Sequence, residues 1–146
     1  MQNQFPNVDQ HNISVGGFGI AANLVVSLCQ HLKAEPNIVP KFQLLVMPIL
    51  NLNAPEMYES WAEYKDLLIE DAESFAYQIG KSVPEKSDRI SPLMSPILIS
   101  DDNLMDLPAT FIAVAEVDLV RSQGQTFAAR LEEKDVPVQI EMQVLF

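Results

Sequence analysis

Gly19, Ile20 and Asp118 are the positions at which this sequence comes closest to chemistry. The run Ile13-Ser14-Val15-Gly16-Gly17-Phe18-Gly19-Ile20-Ala21-Ala22-Asn23-Leu24 reads as a strand, a sharp turn and a helix, with small residues, Gly17 and Ala21, two places either side of the centre. In a G-x-S-x-G corner this layout presents a serine hydroxyl on strained backbone, and the flanking positions are small because strand and helix nearly touch. The centre here is Gly19, which has no side chain and can neither attack a carbonyl carbon nor be activated by a base. The backbone N–H of Ile20 comes next, where such a corner stabilises an oxyanion. Asp118 follows an apolar run, past the C-terminal end of a strand, where parallel sheets gather functional groups. A carboxylate there can orient a histidine. It can also act locally, by accepting backbone N–H bonds or capping the helix that follows Arg121, and this local role is the expected one.

The remaining candidates are few. His11 precedes the first strand and His31 lies three turns along the helix from Gly19, so both are read as surface residues. No pair of histidines and carboxylates has the spacing of H-x-x-x-H or H-E-x-x-H, and the single Cys29 builds neither a thiolate site nor a disulfide, so no metal or other cofactor is implied. Gly17-Phe18-Gly19-Ile20-Ala21-Ala22 also satisfies G-x-G-x-x-A, the phosphate turn of a dinucleotide-binding fold. That fold wants an acid at the end of the second strand, where this sequence has Met47-Pro48.

Four blocks in order carry a family resemblance. Val15, Gly16, Gly17, Asn23 and Leu24 match V-G-G-D-S-A-G-G-N-L, while Phe18 to Ala22 depart from it. Phe42 to Leu52 matches an apolar strand ending Y-P-x-L-D. Ser91-Pro92-Leu93 and Leu107-Pro108-Ala109-Thr110 match an S-P-L segment and an L-P-P-x lead into the next strand. Ala115-Glu116-Val117-Asp118-Leu119-Val120-Arg121-Ser122-Gln123-Gly124 is similar to A-E-x-D-x-L-R-D-E-G. From about Asn12 onward the sequence resembles the hormone-sensitive-lipase and arylacetamide-deacetylase branch of the α/β-hydrolase esterases.

The resemblance implies serine attack on carboxylic esters of short or medium acyl chain. It assigns Asp118 as the triad acid, Gly19 as the vacant nucleophile position and Ile20 as an oxyanion-hole amide. It also places an H-G-G-G run before the corner and a histidine after the last strand, and neither lies between Met1 and Phe146. The sequence is therefore read as the C-terminal portion of a hydrolase domain with its reaction switched off. A small acyl ester is the implied ligand. A homo-oligomer or a complementary chain is expected at the sheet edge left open by strand Ile13–Gly16.

The elements that must hold these positions alternate. Strands are expected at 13–16, 42–47, 111–115 and 138–144, and helices at 19–35 and 123–134. The near-continuous apolar run from Phe42 suggests burial on both faces. Leu24, Leu28 and Leu32 beside Ala21, Val25 and Cys29 suggest a first helix covered on more than one side. Between residues 53 and 90 a helical, cap-like or connecting segment spaces Tyr58, Trp61, Tyr64, Leu67 and Leu68, then Ala72, Phe75, Ala76 and Ile79, as core-packing positions. The fold class is α/β: one partial α/β-hydrolase domain over 1–146, with about four mainly parallel strands and helices on both faces. A formal charge of −11 over 146 residues excludes a basic face for nucleic acid or anionic lipid. The sequence shows no signal peptide and no apolar stretch of membrane-spanning length, so the cytoplasm is the default location.

Overall fold

The computed structural model describes residues 9, 12–35, 38–66 and 71–144; His11, Pro36, Leu67 and Leu68 lie outside them. Strands β1 (Ile13–Phe18), β2 (Pro40–Val46), β3 (Ala109–Ala115) and β4 (Val138–Gln143) form one sheet in sequence order, and every neighbouring pair is parallel. Parallel neighbours cannot be joined by a hairpin, so each pair is bridged by a crossover. Helix α1 (Ile20–Leu32) makes the first. The segment holding α2 (Glu59–Tyr64), α3 (Ala72–Ser82) and α4 (Asp101–Leu104) makes the second, and α5 (Arg121–Glu132) the third. The expected α/β class and its three β-α-β units are thus observed. β1 runs two residues further than its pattern suggested, so the chain turns at Gly19 itself.

The helical cover of the sheet is uneven. Gly17, Leu45 and Ile112 stand side by side in register across β1, β2 and β3. Onto this face α1 brings Ala22, Val25, Val26 and Cys29, and α5 brings Phe127, Ala128 and Leu131, with Ile97, Ile99 and Leu104 filling between them. Full burial of a side chain such as Phe127 or Leu45 stabilises by roughly 1.5–3 kcal/mol. On the other face of β2, Phe42 and Leu44 stay 37% and 38% exposed, so the run from Phe42 alternates where burial on both faces was expected. The first helix departs in the same way: Val25 and Cys29 are buried, whereas Leu24 and Leu28 are exposed. Phe42 and Leu44 are left open because among the described residues α1 and α5 lie on the same side of the sheet, and Leu24 and Leu28 because they lie on the side of α1 away from the residues it packs on that sheet.

A second, smaller core joins the crossover to the loop after β3. Leu52, Phe75, Ile79, Leu119 and Val120 are buried together, and Trp61 and Tyr64 pack against them. Trp61 meets Phe75 edge to face at 5.5 Å between centroids, the packing role expected from its helical spacing. No helix among the described residues is long and apolar enough to cross a membrane.

Candidate active site

The corner after β1 is set by backbone contact. A Cβ on Gly17 would lie 2.4 Å from the carbonyl carbon of Ala21 and 2.5 Å from its oxygen, so only glycine allows strand and helix to approach this closely. Gly19 then turns the chain with φ 57° and ψ −119°, a conformation that a residue with a side chain holds only under strain. Space is not the obstacle at residue 19, because a Cβ there would meet only Ile49 Cδ1, at 3.8 Å. The Gly19 N–H donates to Val46 O at 2.9 Å, and its carbonyl accepts the amides of Ala22 and Ile49, both at 3.2 Å. Ile20 opens α1, so its N–H has no intrahelical acceptor. With Ile49, Leu52, Phe75 and Ile79, and with Gln78 and Ser82 as polar members, it walls a mainly apolar cleft of about 100 Å³ beside the corner.

Asn23, one turn into α1, ties the corner to two more distant segments. Its buried Nδ2 donates to Ile49 O at 2.9 Å and to Met94 O at 2.8 Å, joining the helix to the loop after β2 and to the stretch beyond Pro92. Ser27 adds a bond to Leu93 O at 2.7 Å.

Asp118 stands three residues beyond β3, on the rim of the sheet that also carries Gly19. Met47 N–H bonded to Ala113 O at 2.7 Å and Glu116 N–H bonded to Gln143 O at 3.0 Å continue the ladder along that rim, with the end of β2 between the two corners. Asp118 Oδ1 accepts the N–H of Val120 at 3.0 Å, which is the local role expected for it. Val120 itself is the residue before α5, and the first-turn amide of Ser122 is taken by Ser60 Oγ, so the helix is capped by Ser60 and not by Asp118.

The network that holds this second corner was not legible in the sequence. Gln123 is fully buried and its Oε1 accepts the amides of Leu50 and Asn51, at 2.8 and 2.9 Å, joining α5 to the loop after β2. Ser60 and Ser122 form a reciprocal pair in which each hydroxyl accepts the other's amide, at 3.1 and 3.2 Å, while Ser60 Oγ donates to Leu119 O at 2.8 Å. Arg121 donates to Glu116 O at 2.6 Å, to Tyr64 Oη at 3.0 Å and to Glu63 Oε2 at 2.7 Å. Hydrogen bonds from Tyr64 and Arg121 hold the Glu63 carboxyl below its usual range. In the sequence only the A-E-x-D block hinted at this, through Arg121 and Gln123; Ser60 gave no signal.

Burial pushes the Cys29 thiol up to about 11, far from thiolate chemistry at neutral pH. His31 is exposed in the last turn of α1. Among the described residues no group of three or more His, Cys, Asp or Glu side chains could hold a metal ion.

Comparison with known proteins agrees with this geometry. A family model described as the alpha/beta hydrolase fold matches residues 2–143. An arylesterase of Saccharolobus solfataricus is 28% identical over 131 residues, which make up 89% of this chain and 41% of that protein. An ethyl acetate hydrolase of Pseudomonas putida is 28% identical over 136 residues, 91% of this chain and 41% of that protein. The crystal structure of carboxyl esterase 2 from Tuber melanosporum superposes with a TM-score of 0.87 at 28% identity, covering 94% of this chain and 45% of its own. The chain thus spans about two-fifths of the length of the curated relatives it matches. Nothing in these comparisons supports the dinucleotide reading of Gly17-x-Gly19-x-x-Ala22. A corner built for close strand–helix contact, an aspartate on the same rim and a match over nearly the whole sequence lead to one assignment: the chain belongs to the alpha/beta hydrolase fold family.

Proposed function

We propose that this chain is a carboxylic-ester-hydrolase relative that does not hydrolyse esters, and that it keeps a cleft suited to a small acyl ester. The observation that supports this reading is the glycine at residue 19, on the backbone conformation from which a serine would attack. In acyl transfer the serine oxygen adds to the ester carbonyl, a histidine takes its proton, and an aspartate orients that histidine. Gly19 offers no atom to form the acyl bond, whatever else surrounds it. Loss of the nucleophile alone costs on the order of 10⁶ in kcat in a serine hydrolase. Asp118 and the Ile20 amide would remain as the triad-acid and oxyanion positions, with Asp118 retained for its bond to Val120. The apolar walls of Ile20, Ile49 and Leu52 favour a short acyl chain over a charged ligand.

Hydrolysis of p-nitrophenyl acetate and butyrate tests this. The expected rate equals that of buffer, with no burst; a burst that disappears in Asp118→Ala overturns the proposal. Gly19→Ser is expected to fold with a lower melting temperature.

A second reading, a non-catalytic assembly module joined at the β1 edge, is favoured by one observation: Phe18, at the end of that strand, is 64% exposed.

A further inference from the structure

The crossover between β2 and β3 forms a cavity of about 200 Å³ that the two corners do not use. All its lining residues lie between residues 52 and 89, so one described segment builds it. Leu52, Trp61, Ala76 and Ile79 give it apolar walls, and Trp61 is fixed there by its edge-to-face contact with Phe75. Leu52 and Ile79 also wall the cleft beside Gly19, so one apolar partition separates the two spaces. The polar part of the lining is mostly cationic. Lys86 and Arg89 stand three residues apart in the 3₁₀ turn Lys86–Ile90, a spacing at which side chains eclipse, so two like charges are stacked toward the cavity. Stacked like charges repel unless an anion lies against them. The acids beside them in sequence, Glu85 and Asp88, do not line the cavity. Elsewhere Lys33, Arg121, Arg130 and Lys134 each hold a carboxylate at 2.7 to 3.4 Å, whereas among the described residues neither Lys86 nor Arg89 has one. Arg89 is nonetheless held in place. Its Nε donates to Val83 O at 2.8 Å and its Nη2 to Pro84 O at 3.5 Å, which leaves Nη1 without an acceptor among the described residues. A guanidinium anchored in this way loses little freedom on meeting a carboxylate.

We propose that this cavity binds a small monocarboxylate with an apolar body, its carboxylate on Arg89 and Lys86 and its hydrocarbon against Trp61. The ligand class follows from the lining. Two cations beside Glu56 leave one net positive charge, which matches a single carboxylate and opposes the second charge of a phosphate. Apolar walls select a hydrocarbon body, and the volume, below that of a site for a drug-sized molecule, keeps it small. An ester of the same acid is neutral and leaves both cations unmatched, so the site separates acid from ester. The proposal goes beyond the reading above and is independent of it, because no part of the site involves residue 19.

Trp61 is the only tryptophan in the sequence, so its fluorescence reads the cavity directly. The test titrates the 146-residue chain at constant ionic strength with sodium cyclohexanecarboxylate, its methyl ester, and inorganic phosphate. A saturable change is expected with the carboxylate, and at least tenfold weaker binding with the ester and with phosphate. Arg89→Gln and Lys86→Gln should each weaken the carboxylate about tenfold, the loss of one charge-assisted contact. Lys86 is exposed and makes no hydrogen bond among the described residues, so its variant keeps the melting temperature even if loss of the Arg89 bonds loosens the turn. Lys81→Gln, a cation over the Tyr77 ring and outside the cavity, should leave the affinity unchanged and so excludes an effect of overall charge. No saturable response to the carboxylate overturns the site, and leaves the outcome with p-nitrophenyl esters untouched. Carboxylate binding that survives both Arg89→Gln and Lys86→Gln overturns the location. Equal affinity for the ester or for phosphate overturns the ligand class.

Discussion

The corners after β1 and after β3 share a rim of the sheet but keep different things. At Gly17 to Asn23 the backbone demands survive: glycine where strand meets helix, a positive φ at residue 19, and an amide side chain that clamps two loops. At the second corner Asp118 and Arg121 match the resembled block and have structural employment, Asp118 on Val120 N–H and Arg121 on α2, while Gln123, where the block has glutamate, holds the loop after β2. Asp118 thus has a local hydrogen bond that accounts for its place without catalysis, and Gly19 holds a strained corner with no side chain on it; the proposed reading rests on that pairing.

The largest effect that sharpens this contrast is expected at Gly17. Gly17→Ala places a Cβ within 2.4 Å of backbone that cannot move without shifting α1, so a loss of more than about 4 kcal/mol is expected, or no folded protein at all. Gly19→Ala meets no such neighbour and should cost only the roughly 1–3 kcal/mol of an unfavourable φ. Urea unfolding of the two variants checks the order; equal losses would mean that the corner is not organised around residue 17.

Asn23 comes next. Asn23→Ala removes both donors from the carbonyls of Ile49 and Met94 and should cost about 2–3 kcal/mol, as buried carbonyls are left unpaired. Asp118→Ala, losing the bond from Val120 N–H at a half-buried site, should cost about 1 kcal/mol. If the aspartate proved the costlier of the two by thermal melts, its retention would need more than the local role assigned to it.

The sequence revealed the first corner more fully than the second for physical reasons. Close backbone approach and a strained turn admit few residue types, so Gly17 and Gly19 stand out in one sequence without knowledge of any contact. The bonds of Ser60 to Ser122 and of Gln123 to Leu50 span 62 and 73 residues, and serine or glutamine at those places looks like ordinary surface polarity. The four strands and the alternation with helices were legible because apolar periodicity is local. The exposure of Phe42, Leu44, Leu24 and Leu28 was not, since an apolar run declares that a surface is suited to cover and does not say whether a described element supplies it.

The smallest effect distinguishes the second corner by its pH response. Hydrogen bonds from Tyr64 and Arg121 lower the Glu63 pKa in the folded chain, so the folded state holds this carboxylate ionised more firmly than the unfolded state does. Its contribution is therefore complete above the unfolded value, about 4.3, and is lost as pH falls through the lower folded value. Glu63→Gln should give a melting temperature slightly below that of the parent at pH 7, with the gap closing under acid. The first corner contains no titratable side chain from residue 12 to residue 30 other than the buried Cys29, so variants there should keep a constant gap across the same acid range. A gap at Glu63 that widens in acid would mean that the carboxyl is held protonated, and that Arg121 is anchored to α2 through Tyr64 instead.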